Sequence, residues 1–176
     1  MKSAKKLIIL RHGQAKNAGA GGMDSTRPLT PKGRSDANNA GKNLVDAGFT
    51  PDFILCSPTL RTRETLAEVQ KSFPAPVKIE YEQKIYHASD RDLLRLLAAT
   101  SENVQNLLLV GHNPALHQLA IYLAKTGNEK LIDDLHLQFP PCTMAVISIA
   151  GEWKNIDKSS EIAGGELVFF ATPEMA

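Results

Sequence analysis

The sequence predicts an α/β fold, a three-layer α/β/α sandwich with helices on both faces of a mostly parallel central sheet. Three observations predict it. Short continuous apolar runs recur at residues 7–10, 53–56, 107–110 and 145–149. None alternates with polar residues, as expected of strands covered on both faces. Between them lie segments with apolar residues at helical spacing, and alternating strands and helices build βαβ units. The 176 residues fit one domain over 1–176, long enough to bury roughly 70% of its unfolded surface.

The elements follow in order. Residues 7–10 form the first strand. Thr30-Pro31 reads as an N-cap with proline at the first helical position. Ala37, Ala40, Gly41, Leu44 and Val45 then share one face, and Gly48 stops the helix. The second strand, 53–56, runs into Ser57-Pro58, which opens a helix with Leu60, Ala67 and Phe73 among its apolar residues. Residues 77–79 are a weaker strand candidate. Leu93, Leu94, Leu96 and Leu97 mark a third helix. After the strand at 107–110, Asn113-Pro114 opens a fourth, with Leu116, Leu119, Ala120 and Leu123 inward and Gly127 near its end. The stretch 134–142, with Pro140-Pro141, reads as a loop. Strands at 145–149 and 167–170 flank a polar stretch, 151–165, read as a hairpin or an excursion.

Composition excludes several classes. At 43% hydrophobic and 22% charged, the chain is neither disordered nor fibrous. The net charge of +1, without a long basic run, argues against broad nucleic-acid binding. Cys56 and Cys142 form no CxxC pair and read as reduced thiols. The apolar run after Lys5-Lys6 is too short for a signal peptide or a membrane span. A cytoplasmic protein without membrane partners is the expectation.

Chemistry gathers where the strands end. The first runs into Arg11-His12-Gly13, the second into Ser57-Pro58-Thr59-Leu60-Arg61, and that at 107–110 into Gly111-His112-Asn113-Pro114. Parallel sheets bind ligands outside the carboxyl ends of their strands. If these three strands are parallel neighbours, two histidines and two arginines meet at one edge. The residue types suit a phosphoryl group. Guanidinium forks match phosphate oxygens, helix N-termini favour anions, and neutral imidazole is a nucleophile available near pH 7.

Together these segments resemble the three signatures of the histidine phosphatase superfamily, which includes the phosphoglycerate mutases. The short chain, Arg27-Pro28-Leu29-Thr30 and Gly111-His112-Asn113-Pro114 are most similar to its small bacterial phosphohistidine phosphatases. The likeness covers residues 7 to about 120, with a weaker echo at 139–149. It implies a phosphoglycerate-mutase-like fold and hydrolysis through a phosphorylated His12. Arg11, Arg61 and His112 would hold the phosphoryl oxygens, with a backbone donor at Asn113 and Arg27 at the rim. It implies no metal and no cofactor. The substrate would be a phosphorylated protein, phosphohistidine above all, or a small phosphorylated molecule. Many relatives place a glutamate general acid before the third helix. Here Gln83 falls near that position with Glu82 one residue off, and Glu82 is the candidate. A phosphate-binding module without turnover is the rival of a different class, and the sequence fixes no oligomeric state, though it is compatible with a monomer.

Blander readings apply elsewhere. Arg63 reads as a surface ion-pair partner, and His87, His117 and His136 as surface or helix-face residues. Cys56 reads as a small buried hydrophobe. Gly19-Ala20-Gly21-Gly22 is a flexible loop, because no strand leads into it as a dinucleotide motif requires.

Overall fold

The apolar runs lie side by side in a single seven-stranded sheet. The computed structural model describes residues 4–157 and 165–175. Its strands are β1 (Lys5–Arg11), β2 (Phe53–Cys56), β3 (Lys78–Tyr81), β4 (Asn106–Gly111), β5 (Ala124–Gly127), β6 (Met144–Ile149) and β7 (Gly165–Ala171). They are ordered β3-β2-β4-β1-β6-β7-β5. β1 pairs in parallel with β4, and β4 with β2, so three strands that end in Arg11, Cys56 and Gly111 stop at the same edge. β6 runs antiparallel to both β1 and β7, and every other pairing is parallel. The mostly parallel sheet predicted from the apolar runs is therefore the observed one, with β6 as its reversed strand.

Successive residues on a strand face opposite ways, and the sheet uses both sides. Ile8, Leu10, Ile54, Cys56, Leu108, Val110 and Val146 face a core built with α1 (Pro31–Asp46) and α2 (Leu60–Val69). Leu7, Ile9, Leu107, Leu109 and Ile147 face a second core. It is covered by α3 (Asp90–Ala98), α4 (Ala115–Leu123) and α5 (Glu129–Leu137). Continuous apolar runs on the strands are the direct result of this two-sided burial.

The helix starts follow local chemistry. Thr30 caps α1, its hydroxyl accepting from the Gly33 N–H at 3.0 Å with Pro31 at the first position. Ser89 and Asp92 form a reciprocal capping box on α3. α2 and α4 start at Leu60 and Ala115, beyond the Ser57-Pro58 and Asn113-Pro114 pairs.

Three expectations need correction. The inward face of α2 is Arg61, Thr62, Thr65, Leu66 and Val69, while Ala67 is exposed and Leu60 half-buried. This face turns polar because it looks onto the sheet edge where the side chains are ionisable. Residues 134–137, read as loop, belong to α5, which Asn128 caps by accepting from the N–H groups of Lys130 and Leu131. Residues 124–127 are not the end of α4 but the edge strand β5, paired with β7. In the stretch read as a hairpin, residues 153–155 form a 3-10 turn that buries Trp153 and ties its indole N–H to the Val104 carbonyl at 2.9 Å. Residues 158–164 of that stretch lie outside the described residues. No described helix is long and apolar enough to cross a membrane.

Candidate active site

The backbone after β1 is held on every side. The His12 N–H donates to the Gly111 carbonyl at 3.2 Å, continuing the β1–β4 pairing one residue past the sheet. Its carbonyl accepts from the Cys142 N–H at 3.1 Å. The Gly13 N–H donates to Thr65 Oγ1 on α2 at 2.9 Å. The first turn of α1 then presses on the same loop. A Cβ on Gly33 would stand 2.2 Å from the Gln14 carbonyl oxygen, so only glycine lets the helix approach this closely.

This clamp fixes the His12 ring. Nδ1 lies 2.8 Å from the Gly13 carbonyl oxygen. A carbonyl only accepts, so Nδ1 carries the proton and Nε2 keeps its lone pair. Burial is the main reason that the His12 pKa is lowered to about 4, helped by Arg61, Arg11 and Arg27 and opposed by the bond to Gly13. The ring is neutral at pH 7.

His112 stands beside it, with ring centroids 5.2 Å apart. Its Nδ1 lies 3.4 Å from Arg61 Nη2, which can only donate, so Nε2 carries the proton and donates to Ser57 Oγ at 2.8 Å. Burial first, then His12 and Arg61, lower its pKa to about 3. Two neutral imidazoles with defined tautomers thus share one pocket.

Arg61 comes from the first turn of α2 and is 4% exposed. Its Nη1 and Nη2 donate to the backbone carbonyl and the carboxylate of Asp24 at 2.8 and 3.0 Å. Arg11 donates from Nη1 to the Phe139 carbonyl at 2.9 Å, and Asn113 Nδ2 donates to the same oxygen at 2.9 Å. Among the described residues, Arg11 Nε and Arg61 Nε are buried without an acceptor. Leaving a buried charged donor unpaired costs more than an ordinary lost hydrogen bond, and an oxyanion is the partner that would satisfy it.

The structure therefore brings together Arg11, His12, Arg61, His112 and Asn113, as the strand ends implied. Arg27 reaches the rim, donating from Nε to Asp24 Oδ1 at 2.9 Å and from Nη1 to the Lys16 carbonyl at 3.1 Å. Glu82 is placed elsewhere. Its carboxylate accepts from the Lys84 N–H at 2.9 Å and caps the 3-10 turn at 83–85. Of that segment it is Tyr86 that reaches the site, its hydroxyl donating to Asp24 Oδ2 and its ring 5.5 Å from that of His112. Arg63 lies over the Tyr81 ring, outside this group. His117 bonds the Leu135 carbonyl and stacks on Phe139.

Sequence reasoning gave no site role to Asp24, Tyr86, Ser57 or Thr65. Asp24 had a signal in its position three residues before Arg27. Thr65 had one in its spacing of four from Arg61, which puts both on one helix face.

Known proteins resemble this chain along most of its length. The sequence model of the histidine phosphatase superfamily, branch 1, matches residues 7–84. The phosphohistidine phosphatase SixA of Escherichia coli is 31% identical over 120 residues, 67% of this chain and 73% of that protein. An uncharacterized protein of Mycobacterium tuberculosis is 34% identical over 151 residues, 84% of this chain and 92% of its own. The solved structure of a SixA-like protein from Nakamurella multipartitia superposes with a TM-score of 0.83 at 29% identity, covering 97% of this chain and 96% of that one.

Proposed function

The chain belongs to the histidine phosphatase superfamily, branch 1, and from that premise we propose that it hydrolyses a phosphoryl group through a covalent phospho-His12 intermediate. The observation that carries the reading is the neutral His12 ring, proton fixed on Nδ1 by the Gly13 carbonyl, beside half-buried Arg11 and buried Arg61, each with a buried Nε donor left unpaired among the described residues.

In this reading His12 Nε2 forms a bond to phosphorus as the leaving group departs with the electron pair of its own bond. Phosphoryl transfer asks the protein mainly for positioning and for charge stabilisation. Arg11 and Arg61 supply buried guanidinium donors, and the His112 Nε2–H turns from Ser57 Oγ to a phosphoryl oxygen. The amide of Asn113 bonds the same carbonyl as Arg11 and steadies that arginine. Water then attacks the phosphoimidazole, which releases inorganic phosphate and returns His12 to its neutral form.

The favoured substrate is a protein phosphohistidine. Two observations support it: the likeness to an enzyme named for that activity, and a site whose nearby carboxylate is held ionised. Asp24 lies well below the usual carboxylate range because it accepts from Tyr86, Arg27 and Arg61, so it is a poor proton donor to a leaving alkoxide. No step is given to Glu82.

The test is an acid-free quench of the protein with an aryl phosphate, read by intact mass and peptide mapping. We expect a phosphoryl adduct on His12, absent from His12→Ala, and a loss of turnover in that variant of about 10³-fold or more. A folded protein that binds vanadate without forming an adduct on any phosphorylated probe would instead be a phosphate-binding module.

A further inference from the structure

The Asp24 carboxylate holds a position that phosphoryl binding alone does not explain. Oδ1 accepts from Arg27 Nε, and Oδ2 accepts from Arg61 Nη2 and the Tyr86 hydroxyl. A carboxylate offers about four lone-pair sites, so one remains, and the side chain is 51% exposed. Tyr86 forms an aromatic wall beside it, 5.5 Å from the His112 ring and 5.8 Å from the Arg61 guanidinium. An anionic leaving group is repelled by such a carboxylate, and a cationic substrate ring with an N–H is attracted.

Resting on the phosphatase reading above, we propose that Asp24 is a specificity-determining residue whose carboxylate accepts the distal N–H of a cationic phosphoimidazolium substrate, the ring that departs as neutral imidazole. Asp24 thereby selects phosphorylated imidazoles over phosphate esters.

The step balances. The substrate is a phosphoimidazole carrying a proton on its distal ring nitrogen. His12 Nε2 bonds to phosphorus, the P–N bond breaks, and its electron pair returns to the departing nitrogen. The ring leaves as neutral imidazole with the distal N–H still on Asp24. No proton is delivered to the departing atom, so no carboxylic acid is needed. An ester, by contrast, leaves as alkoxide or phenolate next to a fixed negative charge.

The charged and titratable groups facing Asp24 are Arg27 on its own segment, Arg61 on α2, Tyr86 after β3 and His112 after β4. Arg27 and Arg61 repel a cationic substrate ring, and neutral His112 carries no charge to attract one. Asp24 attracts it, because an opposite charge nearby stabilises the imidazolium and extends that form to higher pH.

The experiment is Asp24→Asn, which keeps size and shape, with kcat/KM measured on phosphoimidazole and on 4-nitrophenyl phosphate across about pH 6 to 9. The expected result is a fall of about tenfold or more in the ratio of phosphoimidazole to ester turnover. The alkaline limb of the phosphoimidazole profile should move about one unit to lower pH. An equal loss on both substrates would reduce Asp24 to a support for Arg61 and Arg27 and overturn the proposal, and so would an unchanged ratio. Wild-type protein that turns over neither substrate would remove the phosphatase reading and this inference together. Wild-type turnover with an unchanged ratio would remove only the role of Asp24.

Discussion

At the scale of single residues, the site depends on keeping two imidazoles uncharged. His12 and His112 are pressed to about 4 and about 3, mainly by burial, while an unfolded histidine titrates near pH 6.5. Both folded values are depressed, so the unfolded chain binds protons first as the solution is acidified. The stability contributed by the neutral rings is complete above about pH 6.5 and is lost as pH falls through about 4. Wild-type stability, followed by urea titration, should drop by on the order of 3 kcal/mol more than that of His12→Asn between these limits. Equal pH slopes in the two proteins would mean that the His12 ring is not held neutral by the fold. The same pair illustrates what the sequence exposes. Arg11, His12 and His112 are legible because each lies within two residues of the end of an apolar run, and strand direction carries them to one edge. Tyr86 is not, because its place depends on the path of a loop that no periodicity encodes, and the spacing of Asp24 from Arg27 links those two without carrying them to the strand ends.

At the scale of elements, α2 departs furthest from its pattern. A helix against a sheet normally turns an apolar stripe inward, yet α2 buries Arg61, Thr62 and Thr65 along with Leu66 and Val69. The threonines replace water as partners. Thr65 Oγ1 donates to the Arg61 carbonyl at 2.7 Å while accepting from Gly13, and Thr62 Oγ1 donates to the Ser57 carbonyl at 2.6 Å. An apolar-period reading misplaces such a helix because the face that matters is polar. α5 and β5 were illegible for a different reason: both lie at the margin of the sheet, with Leu135 the buried residue of α5 and only Ala124 buried in β5. The α1–α2 contact is tested by Gly41→Ala. Alanine ordinarily stabilises a helix interior by up to about 1 kcal/mol relative to glycine. At Gly41 a Cβ would meet the Val69 carbonyl oxygen at 2.5 Å. The substitution should therefore destabilise by about 1–3 kcal/mol, read as a lower midpoint in denaturant, and a stabilised variant would refute the close packing of these helices.

At the scale of the whole molecule, the two cores are built on opposite faces of one sheet. That architecture was readable from the runs at 7–10, 53–56, 107–110 and 145–149, since burial on two faces leaves no room for polar alternation. The reversal of β6 was not, because an apolar strand carries no mark of its direction. The sheet also hides both thiols, Cys56 and Cys142, under α1 and α2. Burial pushes each up to about 12, so neither forms thiolate at neutral pH while the fold is closed. The backbone N–H of Cys142 is one of the bonds that hold the His12 carbonyl. Alkylation of Cys142 thus becomes a clock for the nucleophile's own anchorage: iodoacetamide reacts only during excursions that release that bond. Vanadate bound to the two arginines should lengthen the interval between such excursions, and an alkylation rate at Cys142 indifferent to vanadate would mean that the strand end opens without regard to what the site holds.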